Sequence, residues 1–305
     1  MEVRRVPGDV ADVGSTAVPV VVVTDSTAHL PEGFADRHSV RVVPLHVEIN
    51  ERTGLDGVDI GPTELAAALS HRRLVTTSRP APDEFAAVYR EELAAGADAV
   101  VSVHLSRCLS GTWDSARMAA EQVGTGLVRV VDSRTIGMGL GFAVLSAAMT
   151  AHGGGAVGEV EAAAAATAAR TRTFFVLETL EHLRRGGRIG AATAVLGTAL
   201  AVKPLLHVVD GRIVPLEKVR TTGRALSRLV DLAVEAAGSR SGELAVHHLA
   251  APDRAAELAT RLDERLPLAA GCLVSELGAV IGAHTGPGAL GVVVLPGDDL
   301  GPLGQ

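Results

Sequence analysis

The feature that most constrains the fold is an alternation of β-branched runs with helix-like segments along the first half of the 305-residue chain. The stretch VPVVVVTDS at 18–26 contains a continuous β-branched run, which is typical of a strand buried on both faces. The run ADAVVSVHLS at 97–106 has the same character, and the helix-like segment GTWDSARMAAEQVG at 111–124 follows it. Strands that alternate with helices are joined by right-handed crossovers, so the pattern predicts an α/β fold with a mostly parallel sheet.

The other elements follow from the same periodicities. VRVVPLHVEI at 40–49 is predicted to form one strand, and GPTELAAALSHRR at 61–73 a helix capped by Thr63. IGAATAVLGTALAV at 189–202 is predicted to form a further helix. Asp210-Gly211 lies between two alternating apolar runs and predicts a β-hairpin.

The alternation changes after about residue 171, and this change predicts two domains. Residues 1–18 are expected to form a mobile tail, because their early arginines are followed by no apolar run of signal-peptide length. Residues 19–172 are predicted to form an N-terminal α/β domain with a mostly parallel sheet flanked by helices. Residues 173–305 are predicted to form a second α/β domain with a mixed sheet and the hairpin.

Composition argues against several classes of protein. A net charge of −7 and an aromatic content of 2% do not suit nucleic-acid binding, which needs a basic surface and usually rings for stacking. Two cysteines, Cys108 and Cys272, are too few for a disulfide framework or a four-ligand zinc site. The longest apolar candidate, 191–202, is shorter than the roughly 20 residues needed to span a bilayer. A cytoplasmic protein without a metal or cofactor is therefore expected.

Ser110, in the stretch HLSRCLSGTWDSA at 104–116, is the first candidate for a functional residue. The flanking glycines of a G-x-S-x-G nucleophile elbow are missing, so the local pattern does not favour a hydrolase. A helix N-terminus that follows a parallel strand attracts anions, and the hydroxyls of Ser110 and Thr112 with the N–H of Gly111 suit a carboxylate or phosphate. Simple helix capping explains this segment equally well.

Two further stretches carry polar groups. TTSRP at 76–80 lies between two predicted helices and, alone, is best explained as a cap and turn. GPGALG at 286–291 matches the dinucleotide fingerprint, but it precedes a predicted strand instead of opening a helix, so a tight turn is favoured over a cofactor site. His284 is placed on this glycine-rich loop, where either a structural or a functional role is open.

Basic residues cluster in HLRRGGRIG at 182–190, which contains Arg184, Arg185 and Arg188. Such residues at a helix end are often solvated, but three of them in an acidic protein also suit a phosphate or an acidic partner. Lys203 stands alone before Pro204 and is a further basic candidate.

Taken together, these segments resemble the DegV family. The likeness runs from about Val20 to Pro296 and rests on seven stretches in the same order. They are VVVTDSTAHLP, TTSRP, LSGTWDSA, VVDSRTIGMGLGF, FVLETLEHLRRGGRIG, KPLLHVVDGRIVPLEKVRT and IGAHTGPGALGVVV.

The resemblance implies a two-domain α/β protein that holds one long-chain fatty acid, with the carboxylate near the domain interface. It also implies a non-catalytic role as the acyl-carrying subunit of a bacterial fatty acid kinase. In that scheme a separate ATP-dependent subunit phosphorylates the carboxylate, and the acyl phosphate feeds phospholipid synthesis. Contact with a membrane would be at most transient, for lipid exchange.

The resemblance also assigns roles to individual residues. Those implied to bind the carboxylate, with Thr77 and Ser110 as its main hydroxyl donors, are Thr77, Ser78, Ser110, Gly111 and His284. Those implied to face the kinase or the phosphate are Arg184, Arg185, Arg188 and Lys203. The sequence departs from the family at two places, with Arg79 where glutamine is usual and Arg107-Cys108 where Ser-Gly is usual.

Two other functions are kept as alternatives. One is a serine esterase or thioesterase that uses Ser110 and His284. The other is a carrier of a different amphipathic carboxylate, such as an isoprenoid acid. A buried carboxylate needs several hydrogen-bond donors, and a buried acyl chain contributes about 0.8 kcal/mol per methylene, so tight binding is expected in either carrier.

Overall fold

The computed structural model describes residues 20–124, 126–189, 203–239 and 241–297. The predicted tail at 1–18 and nearly all of the predicted helix at 189–202 lie outside these residues. The described elements up to residue 170 are β1 (Val20–Asp25), a short 3₁₀ helix (Ser26–Ala28), α1 (Phe34–Arg37), β2 (Arg41–Val43), β3 (His46–Ile49), β4 (Arg52–Leu55), α2 (Pro62–Ser70), β5 (Val75–Ser78), α3 (Pro82–Ala94), β6 (Ala99–His104), α4 (Thr112–Val123), β7 (Val128–Asp132), α5 (Met138–His152) and α6 (Val157–Arg170). Those that follow are β8 (Arg172–Val176), α7 (Glu181–Arg185), β9 (Lys203–Val209), β10 (Arg212–Val219), α8 (Thr222–Ala237), β11 (Gly242–His248), α9 (Pro252–Arg265), β12 (Cys272–Glu276), α10 (Ala279–Thr285) and β13 (Leu290–Pro296).

The first sheet has the order β2-β1-β6-β7, and all its pairings are parallel. Neighbouring residues of β1 point to opposite faces, as the strand geometry requires. Val22 packs with α5 and α6 on one face, and Val23 packs with Phe85 of α3 on the other. The predicted parallel sheet with helices on both faces is confirmed.

The second sheet is mixed and has the order β10-β9-β8-β13-β11-β12. One of its faces packs against α8 and α9, and α5 packs against the other. The predicted hairpin is confirmed, since β9 and β10 pair across a turn in which Asp210 and Gly211 both have positive φ, 50° and 77°. Two such residues are what a tight hairpin turn of this hand requires.

A third, small sheet with the order β4-β3-β5 corrects two predictions. The single strand expected at 40–49 is wrong, because the chain breaks at Pro44, so that β2 joins the first sheet and β3 the small one. The cap and turn expected at TTSRP is also wrong, because Thr76, Thr77 and Ser78 lie in β5 and pair with β3. Proline has no N–H to donate and interrupts a strand, whereas the pairing of β3 with β5 joins distant residues and leaves no local signal.

The capping residue of α2 is also corrected. The helix begins at Pro62 with Gly61 as its N-cap, so Thr63 lies inside the first turn. Proline at the first helical position needs no N–H partner, which explains the earlier start.

The relation between the two larger sheets positions the candidate site. The first ends with β7 at Asp132 and the second begins with β8 at Arg172. Helix α5 contacts strands of both larger sheets, which joins the two halves of the chain. The division into two domains near residue 172 therefore stays a prediction. None of the described helices is long and apolar enough to cross a bilayer.

Candidate carboxylate and acyl-chain site

A cavity lies between the two larger sheets and encloses about 910 Å³ of space, part of which is open to solvent. Its wall is mostly aliphatic and comes from both halves of the chain, with Leu105 and Ile136 on one side and Leu177, Leu277 and Ile281 on the other. A concave, mostly apolar wall with a few polar groups is typical of sites for small apolar ligands. Within the described part of the chain, no three His, Cys, Asp or Glu side chains are grouped to hold a metal ion.

The polar end of this cavity is formed by Thr77 and His284. The Oγ1 atom of Thr77 on β5 lies 2.9 Å from Nε2 of His284, and both residues line the cavity. The expectation that His284 lies on a loop is wrong, because it belongs to the last turn of α10. This helix has only seven residues, and glycines flank and interrupt it, which hides it from periodicity analysis.

Asp56 holds α10 in place. Its Oδ1 accepts the N–H of Ala279 at 2.7 Å and that of Val280 at 3.4 Å, at the start of the helix. Its Oδ2 accepts the hydroxyl of Ser26 at 2.8 Å, and burial raises the pKa of Asp56. A carboxylate at a helix N-terminus pairs unsatisfied N–H groups and complements the helix dipole. The position of His284 therefore depends on a residue more than 200 positions away.

His284 is neutral at physiological pH. Burial, Arg188 and His182 together lower its pKa to about 4. Its Nδ1 lies against Gly186, where a Cβ atom would come within 2.2 Å. The neutral ring carries one proton, and the position of that proton decides whether Nε2 donates to Thr77 or accepts from it. The same choice decides whether the Thr77 hydroxyl can donate to a ligand.

Ser110 lies on the loop between β6 and α4 and also lines the cavity. Its Oγ is 2.8 Å from Oγ1 of Thr112 and accepts the Thr112 N–H at 3.3 Å. Two neighbours hold the loop, since Ser106 donates to the Gly211 carbonyl at 2.7 Å and Arg188 Nε donates to the Leu109 carbonyl at 3.0 Å. The structure thus places Ser110 in the same cavity wall as Thr77 and His284.

Two arginines stand at the polar end. Arg188 is half-buried, lines the cavity and also donates to the Gly186 carbonyl. Arg79, one of the two departures from the family pattern, lines the cavity and lies against Gly111, where a Cβ atom would come within 2.2 Å of its Nη1. Ser78 lines the cavity beside it.

The other predicted basic residues lie outside the acyl cavity. Arg184 is exposed, and Arg185 is exposed and pairs with Glu181. Lys203 pairs with Glu178. Arg185 lines a second, outer groove whose wall includes Thr77, Arg188 and His284. The polar end is therefore bordered by the acyl cavity on one side and by this outer groove on the other.

Comparison with known proteins places the chain in a family. A family model described as "Uncharacterised protein, DegV family" matches residues 19–297. The chain belongs to the DegV family. A DegV domain-containing protein of Streptomyces coelicolor is 55% identical over 275 residues, 90% of this chain and 98% of the relative. Protein DegV of Bacillus subtilis is 36% identical over 276 residues, 90% of this chain and 98% of that protein.

Solved DegV structures have the same fold. A DegV family protein from Thermus thermophilus, described for its fatty acid binding, has a TM-score of 0.86 at 37% identity and covers 91% of this chain and 99% of its own. DegV from Bacillus subtilis, described as a fatty acid binding protein, has a TM-score of 0.83 at 35% identity and covers 92% and 99%. Both of these DegV structures are thus described as those of fatty-acid-binding proteins.

In this DegV chain Ser110 and His284 have separate hydrogen-bond partners, Thr112 and Thr77. An esterase would need the histidine to accept the serine proton and a carboxylate to orient the ring. The charged groups that act on His284 are Arg188 and His182, neither of which is a carboxylate. The arrangement therefore favours ligand binding over nucleophilic catalysis.

A Ser–His–Asp series does occur deeper in the protein. His104 bridges Ser102 Oγ at 2.7 Å and Asp25 Oδ2 at 3.0 Å, and all three side chains are fully buried. Tyr89 donates to Ser102, and Asp25 also accepts the N–H of Leu105 at 3.1 Å. A fully buried serine is not accessible to a substrate. The series instead holds Leu105 in the cavity wall, because Asp25 accepts the Leu105 N–H.

Sequence reasoning missed the roles of Asp56 and Asp25. Each aspartate is one of many acidic residues in the sequence, and a backbone N–H group that donates to it lies far along the chain. A local signal exists for Asp25 but not for Asp56. Asp25 begins the DST segment at 25–27, at the end of the buried strand β1, and all three side chains of this segment form hydrogen bonds.

Proposed function

We propose that this protein binds one long-chain fatty acid, with its carboxylate at Thr77, Ser110 and His284 and its acyl chain in the cavity. The observation that carries the proposal is a mostly aliphatic cavity that ends in three hydroxyls, an imidazole and two guanidinium groups. The fatty-acid-binding relatives from Thermus thermophilus and Bacillus subtilis support it.

The proton on His284 determines what Thr77 does. A hydroxyl has one proton to donate, so Thr77 donates to a carboxylate only when it accepts its second hydrogen bond from His284. This requires the tautomer with the proton on Nε2, 2.9 Å from Oγ1. His284 is then a positioning residue, because it acts on the carboxylate through Thr77.

The remaining donors stabilise the carboxylate charge. Ser110 presents a second hydroxyl, with Gly111 at the start of α4, and Ser78 lies beside Thr77. Arg79 and Arg188 bring positive charge to the same end of the cavity. A buried carboxylate without such partners would carry a large desolvation penalty.

The acyl chain supplies most of the affinity. Each methylene that leaves water contributes about 0.8 kcal/mol, and the cost of association and ordering is subtracted from the sum. A long chain is therefore needed for tight binding.

We further propose that the bound acid is a phosphoryl acceptor for a separate ATP-dependent kinase subunit in the cytoplasm. A carboxylate oxygen attacks the γ-phosphorus of ATP, the bond to the ADP oxygen breaks, and acyl phosphate and ADP form. The outer groove supports this proposal, because Arg185 and Arg188 line it next to Thr77 and His284. Arg184 is exposed beside Arg185 in α7, whereas Lys203 is paired with Glu178. The acyl phosphate would feed phospholipid synthesis.

The transfer is tested with the full-length protein, palmitate, Mg-ATP and a bacterial fatty acid kinase subunit, with acyl phosphate trapped by hydroxylamine. Palmitoyl hydroxamate is expected only when both proteins are present, and Arg188→Ala is expected to reduce it. Product formation by this protein alone, or labelling of Ser110 by a fluorophosphonate probe, would contradict a non-catalytic carrier.

A further inference from the structure

Gly291 stands at the centre of the cavity-facing side of the second sheet. In the strand register it pairs with Phe175 of β8 on one side and with His247 of β11 on the other. Residues paired across strands share a face, so this row presents two large rings with a gap between them. All three residues line the cavity.

The alternation along β13 shows which way Gly291 faces. Val292 and Val294 pack in the core with α8 and α9, on the opposite side of the sheet. Val293 packs with Met138 and Phe142 of α5. Since residues two apart share a face, Gly291 lies on the side of Val293.

The cavity follows β13 away from the polar end. His284 in α10 is followed by Ala289, Gly291 and Val293, all of which line the cavity. At about 3.3 Å per residue, Gly291 and Val293 are roughly 7 Å apart along the strand. Gly291 therefore lies part-way along the path that leads from the carboxylate site.

Glycine at position 291 weakens the strand, and no close contact within the protein requires a glycine there. A glycine inside a strand weakens the sheet and often marks a place where a ligand approaches the backbone. Gly291 has no positive φ, and an added Cβ would meet only ordinary contacts, the nearest being Phe175 Cβ at 3.4 Å. The fold itself therefore has room for a Cβ atom here.

We propose that the acyl chain crosses the sheet over Gly291, between the rings of Phe175 and His247, and that this missing side chain sets the maximum acyl length. The inference rests on the proposed function and adds its specificity determinant. A side chain at position 291 would occupy the path, so carbons beyond that point would lose their place in the cavity.

The test compares delipidated wild type with Gly291→Ala, Gly291→Val and Gly291→Leu by calorimetric titration with saturated acids of 10, 12, 14 and 16 carbons. Wild-type affinity is expected to rise about fourfold per methylene. In Gly291→Val the rise is expected to stop at a shorter chain, so that the preference for 16 over 12 carbons falls from on the order of 100-fold towards unity. Val293→Ala, which shortens a side chain of the cavity wall two residues beyond Gly291, is expected to extend the rise past the wild-type limit when acids of 18 and 20 carbons are added to the series.

The control is Gly223→Val, at an exposed glycine of α8 whose added Cβ would meet nothing within 4 Å. It is expected to keep the wild-type dependence on chain length. An unchanged dependence in a folded Gly291→Val would overturn the inference while leaving the proposed function intact. Failure of the wild type to bind any of the acids would instead overturn the proposed function.

Discussion

Thr77 is the proposed carboxylate donor that a single substitution tests most directly. Replacing it by valine keeps the shape and the preference for a strand but removes the donor that His284 orients. A hydrogen bond to a charged group contributes about 1.5–3 kcal/mol, so the Kd for palmitate is expected to rise roughly 10- to 100-fold. Calorimetric titration of delipidated protein measures the change.

The matched control for that substitution is Thr76→Val. Thr76 is the preceding residue of β5, is exposed, and donates to Glu48 instead of lining the cavity. Its Kd is expected to stay within about twofold of the wild type. Equal losses in the two variants would mean that Thr77 acts through the strand and not through its hydroxyl.

At the scale of single elements, Asp56 links the small sheet region to α10. Asp56→Ala leaves the buried N–H groups of Ala279 and Val280 without their acceptor. The free energy of unfolding is expected to fall by about 1–3 kcal/mol, and palmitate binding to weaken because His284 shifts with the helix. Urea unfolding and titration of the same samples measure both effects.

Asp59→Ala provides the comparison for Asp56. Asp59 lies three residues later, and its carboxylate accepts the N–H of Leu55 at an exposed site. A small loss of stability with unchanged binding is expected. If Asp56→Ala bound palmitate as well as Asp59→Ala does, α10 would not depend on this cap.

The elements also show what the sequence can and cannot predict. β1 and β6 are valine-rich strands buried on both faces, so their composition alone identifies them. β5 has three consecutive hydroxyl residues and becomes a strand only because the distant strand β3 pairs with it. The same limit applies to the candidate site, where the family resemblance indicates Thr77, Ser110 and His284 but nothing in the sequence indicates that Asp56 caps α10.

For the molecule as a whole, buried neutral histidines are expected to lower the stability in acid. Burial lowers the pKa of His29 to about 4 and that of His247 to about 3. Between pH 6.5 and these values the unfolded chain binds protons that the folded protein does not. Stability is therefore expected to decrease as the pH falls from 6.5 to about 4, by at most about 1.4 kcal/mol per pH unit for each histidine.

Urea unfolding at pH 7.5 and pH 5 tests this dependence. His29→Asn removes one titrating group, and asparagine tolerates the positive φ of 52° at this position. Its stability is expected to depend less steeply on pH than that of the wild type. An identical slope in the two proteins would show that His29 does not contribute.

Native mass spectrometry of the full-length protein tests most directly whether each chain binds one fatty acid. Delipidated protein mixed with palmitate is expected to gain a single adduct of the mass of palmitate, and Thr77→Val is expected to gain markedly less under the same conditions. No adduct in the wild type, or equal adducts in both proteins, would contradict this expectation.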